Sequence, residues 1–202
     1  MNAQQQLLRI LADGELHSGS ELADVLGVSR TAIWKQLGQL DSLDLEVSAQ
    51  AGQGYRLAAP LELLDENSIR AHLTEDFESV CDSLQVLWTS ESTSAELLAA
   101  GAPEAGKANA CLAEYQTAGR GRRGRQWFAP AGHGICLSVG WYFPASPASL
   151  SCLGLAVGIG VLRAIHRAGV SNAQLKWPND IVVDGGKLAG SRPPFSRTAE
   201  QT

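Results

Sequence analysis

The apolar positions of the chain change period along its length, and each change predicts a different kind of element. Leu7, Leu8, Ile10 and Leu11 recur at helical spacing over residues 4–12, and Gly14 stands where that helix should stop. Ser18-Gly19-Ser20-Glu21 is a capping box, in which Ser18 caps and Glu21 reaches back. Leu22, Ala23, Val25 and Leu26 are then the inward positions of a second helix, and Gly27-Val28 turns the chain. Ser29 caps a third helix over residues 30–40, which buries Ala32, Ile33 and Leu37 and leaves Arg30, Thr31, Trp34, Lys35 and Gln36 outside. The pattern next turns strand-like: residues 45–47 and 55–57 predict two strands paired around Ala51-Gly52-Gln53-Gly54. Helix, glycine turn, helix and hairpin make a winged helix-turn-helix, whose second helix would enter a major groove. Its DNA-facing stretch is Gly19 to Gly38, with Arg56 on the wing.

Pro60 marks a boundary, so the chain reads as a domain over residues 1–60, a linker over 61–67 and a larger domain over 68–190. In the larger domain Asn67 caps a helix over 68–73, and residues 84–88 read as a strand. The hydroxyl-rich run Thr89-Ser90-Glu91-Ser92-Thr93-Ser94 leads into a helix ending near Ala100. Such a cluster caps its helix or presents hydroxyls and N–H groups to a ligand, and capping is the commoner use. Residues 109–115 and 134–143 read as strands and 149–168 as a long helix containing Gly154, Gly158 and Gly160. Each interior glycine costs about 1 kcal/mol of helix stability, which points to close packing there. Two short strands, 175–177 and 181–183, flank Pro178-Asn179-Asp180, and the Asp184-Gly185-Gly186 turn leads into Lys187-Leu188-Ala189-Gly190. Residues 191–202, with Pro193 beside Pro194, have the composition of a disordered tail. The fold class is α+β.

Composition narrows the setting. The longest apolar run, about 150–162, is broken by glycines and too short for a bilayer core of roughly 30 Å, so a buried helix is expected and no membrane partner. The N-terminus lacks the charged and apolar tandem of a signal peptide. Cysteines 81, 111, 136 and 152 have no CxxC spacing and histidines 17, 72, 133 and 166 form no HExxH set. A reducing cytoplasm and no resident metal are expected. Net charge is −5, but residues 61–118 hold 2 basic against 11 acidic side chains and residues 119–190 hold 8 against 2. Residues 1–60 are themselves net negative, with only Arg30, Lys35 and Arg56 as a local patch on the winged helix. DNA binding by one copy should be weak, so a homodimer on a two-part site is the physical expectation; packing or protein contact is the alternative use.

The positive charge gathers in one place. Gly119 to Arg125 holds four arginines and three glycines, with Trp127 close behind. Glycine lets main-chain N–H groups approach a ligand, and arginine offers a rigid fork matched to phosphate or carboxylate. Such a loop suits an anion, and it should order only when its ligand arrives. An RG-rich RNA-binding or merely solvated segment is the alternative, weakened by its place between two apolar strands. No Ser-His-Asp or Cys-His pairing and no GxxxxGK[ST] loop is evident, so a protein nucleophile is not indicated. Clustered cations without a nucleophile suit phosphoryl or adenylyl transfer, where positioning and charge stabilisation do most of the work. Taken alone, Asp180 reads more as a turn residue than as a metal ligand.

Glu114-Tyr115-Gln116-Thr117-Ala118-Gly119-Arg120-Gly121-Arg122-Arg123-Gly124-Arg125-Gln126-Trp127 resembles the biotin-binding signature of the biotin protein ligases. Lys176-Trp177-Pro178-Asn179-Asp180 and Lys187-Leu188-Ala189-Gly190 are similar to the next two motifs of that family, in its order, and the winged helix resembles its bifunctional ligase–repressor branch. The resemblance covers about residues 4–190. It implies a class II synthetase-like mixed β-sheet catalytic domain, incomplete at its C-terminus. It implies that biotin and MgATP form biotinyl-5′-adenylate, and that biotin passes to a lysine of the biotin carboxyl carrier protein of acetyl-CoA carboxylase. It further implies an operator-binding repressor of biotin synthesis with biotin as co-repressor. By matching motif, Ser92, Thr93 and Ser94 would line the ureido end of biotin with Gln116 beside them; Ser94 stands where the bifunctional branch has asparagine. Arg120, Gly121 and Arg122 would hold the biotin carboxylate, and Gly119, Arg120, Arg122 and Arg125 the adenylate phosphates. Lys187 would touch biotin and neutralise developing phosphate charge, and Asp180 would assist the Mg2+ ion or the incoming lysine. After Gly190 the chain leaves the family pattern, which is read as a truncated or out-of-frame end. A non-catalytic biotin-responsive regulator and a lipoate-type acyl ligase are the competing expectations.

Overall fold

The computed structural model describes residues 3–121, 125–143, 150 and 152–191. The chain forms two compact units, residues 1–120 with 126–141, and residues 121–125 with 142–202.

The first unit opens with helices α1 (Ala3–Leu11), α2 (Gly19–Leu26) and α3 (Arg30–Leu40). Both expected serine caps form, Ser18 Oγ accepting from Glu21 N–H at 3.1 Å and Ser29 Oγ from Ala32 N–H at 3.2 Å, but Glu21 does not reach back: its carboxylate lies 3.7 Å from His17 Nδ1. Leu7, Leu8, Leu11, Leu22, Ile33, Leu37 and Leu40 form the core between the helices. Val25, expected inward, is 67% exposed, because the buried stripe of α2 runs through Leu22 and Ala23 and leaves Val25 on its flank. Ala32 is only half-buried. The wing is a hairpin of β1 (Val47–Gln50) and β2 (Gly54–Leu57). Leu45, expected in β1, instead fills the core from the turn before it, where Asp44 takes a left-handed conformation. His17 and Tyr55 exchange main-chain bonds of 3.0 and 2.9 Å, tying the wing to the start of α2. A Cβ on Gly54 would run into the His17 carbonyl, so this contact requires glycine.

Two short helices follow, α4 (Glu66–Ala71) and α5 (Glu75–Val80). The cap of α4 is Asp65, not Asn67: its Oδ1 accepts from Ser68 N–H at 2.8 Å, which starts the helix earlier than expected. α5 has no counterpart in the hydrophobic pattern; Thr74 caps it and three acidic residues occupy its first turn. Strand β3 (Cys81–Ser90), helix α6 (Thr93–Ala100), β4 (Ala108–Gln116) and β5 (Cys136–Trp141) complete the unit. The sheet order is β3-β4-β5, with β3 parallel and β5 antiparallel to β4, a mixed sheet whose central strand is almost wholly buried. Trp88, Tyr115 and Ala131 pack into the winged-helix core, so compactness does not follow the change of composition at Pro60.

The second unit holds α7 (Leu153–Arg167) and an antiparallel meander of β6 (Gln174–Lys176), β7 (Asp180–Val183) and β8 (Gly186–Gly190). Gly158 lets α7 approach β6: an added Cβ would lie 2.9 Å from Leu175 Cδ1. Gly160 has open space beside it, so close packing does not explain that glycine. Ser149, expected to open this helix, and the Pro193-Pro194 tail lie outside the described residues.

Candidate functional site

The hydroxyl cluster sits where β3 passes into α6. Ser92 is the N-cap of α6, yet its hydroxyl makes no capping bond. Gln116, at the end of β4, supplies the acceptor instead: its Oε1 takes Thr93 N–H at 2.9 Å and Thr93 Oγ1 at 3.3 Å. Parallel pairing of Ser90 with Gln116 is what brings the two strand ends together. Thr93 Oγ1 is also 2.8 Å from Ser138 Oγ on β5. Beneath them Ser90 Oγ accepts from Ser92 N–H at 3.1 Å and donates to Glu96 Oε1 at 2.7 Å. A main-chain N–H on Oε1 fixes which way the Gln116 amide points, leaving its NH2 end as the donor. Ser94, next on α6, is half-buried.

Burial pushes the Cys136 thiol up, its hydrogen bond with Gln116 opposes the shift and the Glu114 carboxylate adds to it. Cys111 is likewise raised, by burial and then by Glu96. Neither buried sulfur is a thiolate at neutral pH.

The glycine–arginine loop leaves this cluster directly. Thr117 and Ala118 N–H donate to the Ser90 and Glu91 carbonyls at 2.9 and 3.1 Å, keeping the chain attached to the end of β3. Trp127 N–H then donates to Gly119 O at 2.8 Å, and Arg120 pairs with Gln126, so these four residues form the stem of the loop. A Cβ on Gly119 would lie 2.5 Å from the Trp127 carbonyl oxygen, so the stem closes only around a residue without one. Arg120 is exposed. In the second unit Gly121 N–H donates to Arg125 O at 2.6 Å, and Arg125 is exposed. Arg122, with Arg123 and Gly124, lies outside the described residues.

The second unit carries the remaining candidates. Asp180 opens β7 and Lys187 lies on β8, and the antiparallel register brings Lys187 Nζ to 2.7 Å from Asp180 Oδ1. Asp180 is therefore a strand residue paired with a lysine, not the turn residue that it resembles when read alone. Gly190 underlies the pair: a Cβ there would meet Lys187 Nζ at 3.0 Å and Asp180 Oδ1 at 3.2 Å. Among the described residues no group of three or more His, Cys, Asp or Glu side chains is gathered to hold a metal.

On the winged helix, Gly19, Arg30, Thr31, Trp34 and Tyr55 line a cleft of about 330 Å³ between the helix pair and the wing. Trp34 is 70% exposed, and Lys35 and Arg56 are exposed as expected. Gln36, expected outside, is half-buried, and its Oε1 is buried without a hydrogen-bond partner.

Ser138 and Glu114 are polar residues near the Thr93–Gln116 cluster to which sequence reasoning gave no individual role, and Ser90 was read only as one of a hydroxyl-rich run. Glu114 carries a signal, since it is a lone charge in the apolar run of β4. Ser138 carries none, because its role depends on which strand becomes the neighbour of β4.

The first unit thus combines a winged helix-turn-helix with a mixed sheet whose strand ends carry a glutamine-capped helix and the stem of a glycine–arginine loop. Residues 88–194 match the Biotin/lipoate A/B protein ligase family and residues 3–56 match an HTH domain. The chain belongs to the Biotin/lipoate A/B protein ligase family. It is 40% identical over 184 residues to the bifunctional ligase/repressor BirA of Salmonella typhimurium, an alignment covering 91% of this chain and 55% of that protein. The proteins of the same name from Escherichia coli and Bacillus subtilis are 39% and 35% identical over 92% and 89% of this chain, and 56% and 54% of their own lengths. The chain thus spans about half the length of the curated relatives it matches.

Proposed function

We propose that the chain is an ATP-dependent biotin ligase that also binds operator DNA as a repressor of biotin synthesis. The observation that carries this reading is the Thr93–Gln116 contact set immediately before the Gly119–Trp127 stem. A neutral polar seat followed by a cationic loop suits a ligand with a polar, uncharged head and an anionic tail. Biotin, with its ureido ring and carboxylate, is such a ligand, and relatives that align over 91% and 92% of this chain are named ligase/repressors.

In this reading Ser92, Thr93, Ser94 and Gln116 receive the ureido end. Arg120, Gly121 and Arg122 hold the carboxylate, and Gly119, Arg120, Arg122 and Arg125 hold the ATP phosphates. A carboxylate oxygen forms a bond to the α-phosphorus as pyrophosphate leaves. Charge grows on the phosphate oxygens during that step, and the Lys187 ammonium, oriented by Asp180, offsets it. The amine of a carrier-protein lysine then attacks the acyl carbon, forms the amide, loses its proton and releases AMP. Mg2+ would arrive with ATP on its phosphates. At the other end, Arg30, Thr31, Trp34, Lys35 and Arg56 meet DNA as part of a dimer, because one copy has too little positive charge for tight binding. The reaction and the DNA contact belong to the cytoplasm.

The test is to incubate the chain with biotin, labelled MgATP and a biotin carboxyl carrier domain, following adenylate, pyrophosphate and carrier mass. Biotinyl-5′-adenylate and a biotinylated carrier are expected, and Lys187→Gln should slow adenylate formation by about 10²-fold. Turnover of lipoate in place of biotin, or biotin-dependent DNA binding with no adenylate, would overturn the biotin-ligase assignment.

A further inference from the structure

Glu114 is 4% exposed and is the one charged side chain in the buried class among the described residues. Both of its oxygens accept from main-chain N–H groups far away in sequence: Oε2 from Leu64 at 2.7 Å and Oε1 from Gly132 at 2.9 Å. Burying a carboxylate against two neutral donors is a poor way to gain stability, since the desolvation of the charge is only partly offset. What the arrangement does achieve is placement. Gln116 lies two residues further along the same strand, and Gly132 belongs to the chain returning from the arginine loop. Gly132 adopts a φ of +72° and packs so tightly that an added Cβ would lie 2.9 Å from Leu61 Cδ1. Ala131 N–H donates to Leu43 O at 3.2 Å, and Leu61 N–H to Ala12 O at 2.8 Å, so the same two segments are also fixed to the winged helix.

We propose that Glu114 is a positioning residue for the biotin site: it clamps the segment returning from the loop and the linker onto the strand that carries Gln116, and thereby holds the Gly119–Arg120/Gln126–Trp127 stem in register. The proposal rests on the biotin-ligase reading for its kinetic consequence, but the clamp can be tested without it.

Two readouts on the whole chain, parent against Glu114→Gln, separate the questions. Glutamine keeps the size but replaces one acceptor by an NH2 group facing an N–H donor. Tryptic cleavage after Arg120 and Arg125 should accelerate about tenfold, as for an opening equilibrium that shifts tenfold, while cleavage after Arg56 in the wing stays at the parent rate. In the adenylation assay KM for biotin should rise by about tenfold with kcat nearly unchanged, the signature of lost ground-state placement. Glu114→Asp, which keeps the charge but falls short of one donor, should move both readouts in the same direction by less. Parent-like cleavage and KM in Glu114→Gln would overturn the proposal. So would a uniform rise in cleavage at all sites with a lowered thermal midpoint, or failure of both variants to fold, because either makes Glu114 merely structural. If the parent forms no adenylate, the ligase reading fails, and the cleavage ratio alone still decides the clamp.

Discussion

Gly119 is buried with its Cα against the Trp127 carbonyl, and the stem closes over the space where a side chain would be. The obstacle is a backbone atom, which cannot swing away as a side-chain tip can. Gly119→Ala should therefore open the stem at a cost of about 1–3 kcal/mol, weakening the proposed biotin binding by about 5- to 150-fold by titration calorimetry. The winged helix should keep its thermal stability, since its core lies in other residues. This glycine and its arginine neighbours were legible in the sequence because their chemistry is local: composition over seven positions announces an anion loop. The Lys187–Asp180 pair was half legible, the lysine by motif and the pairing only once β7 and β8 align. Gln116 acting as the cap of α6 was not legible, because 23 residues separate it from Thr93 and only parallel pairing of β3 with β4 joins them.

Among the elements, the wing illustrates how a few polar bonds orient a small hairpin. His17 meets Tyr55 through the main chain, and its ring lies 2.9 Å from Asp13 Oδ2. Burial works against ionisation of Asp13, but the Glu15 amide and the hydrogen bond and charge of His17 outweigh it and hold the carboxyl below its usual range. A carboxyl whose pKa is depressed on folding contributes stability above its unfolded value of about 3.9, and loses it as pH falls through the folded value. His17→Asn removes the imidazole hydrogen bond and charge while the Glu15 amide remains, so part of the depression is lost and the acid-unfolding midpoint followed by circular dichroism should move to higher pH. An unchanged acid limb would mean that the Asp13–His17 pair contributes nothing to stability. The helices of this module were readable because caps and apolar spacing agree over 8 to 11 residues. α5 was not, because six residues with one capping threonine leave no periodicity to detect.

For the first unit as a whole, the winged helix is not an appended module: Trp88, Tyr115 and Ala131 share its hydrophobic core. The Tyr115 hydroxyl lies 3.4 Å from Asp44 Oδ2, and burial, followed by the Asp44 charge, pushes the phenol up. Removing residues 1–57 should uncover Trp88, giving a red-shifted tryptophan emission that Trp88→Phe abolishes, and a lower thermal midpoint. Equal midpoints for fragment and whole chain would show that the shared core contributes nothing. The shared core also sets a rule for anyone building chimaeras. A foreign winged helix spliced in at Pro60 would bring a surface cut to fit someone else's sheet, leaving holes or clashes opposite Trp88, Tyr115 and Ala131. A graft that carries its own versions of residues 61–64, 88, 114–115 and 131–132 transfers the whole fitted joint, including the main-chain bonds that Glu114 receives from Leu64 and Gly132.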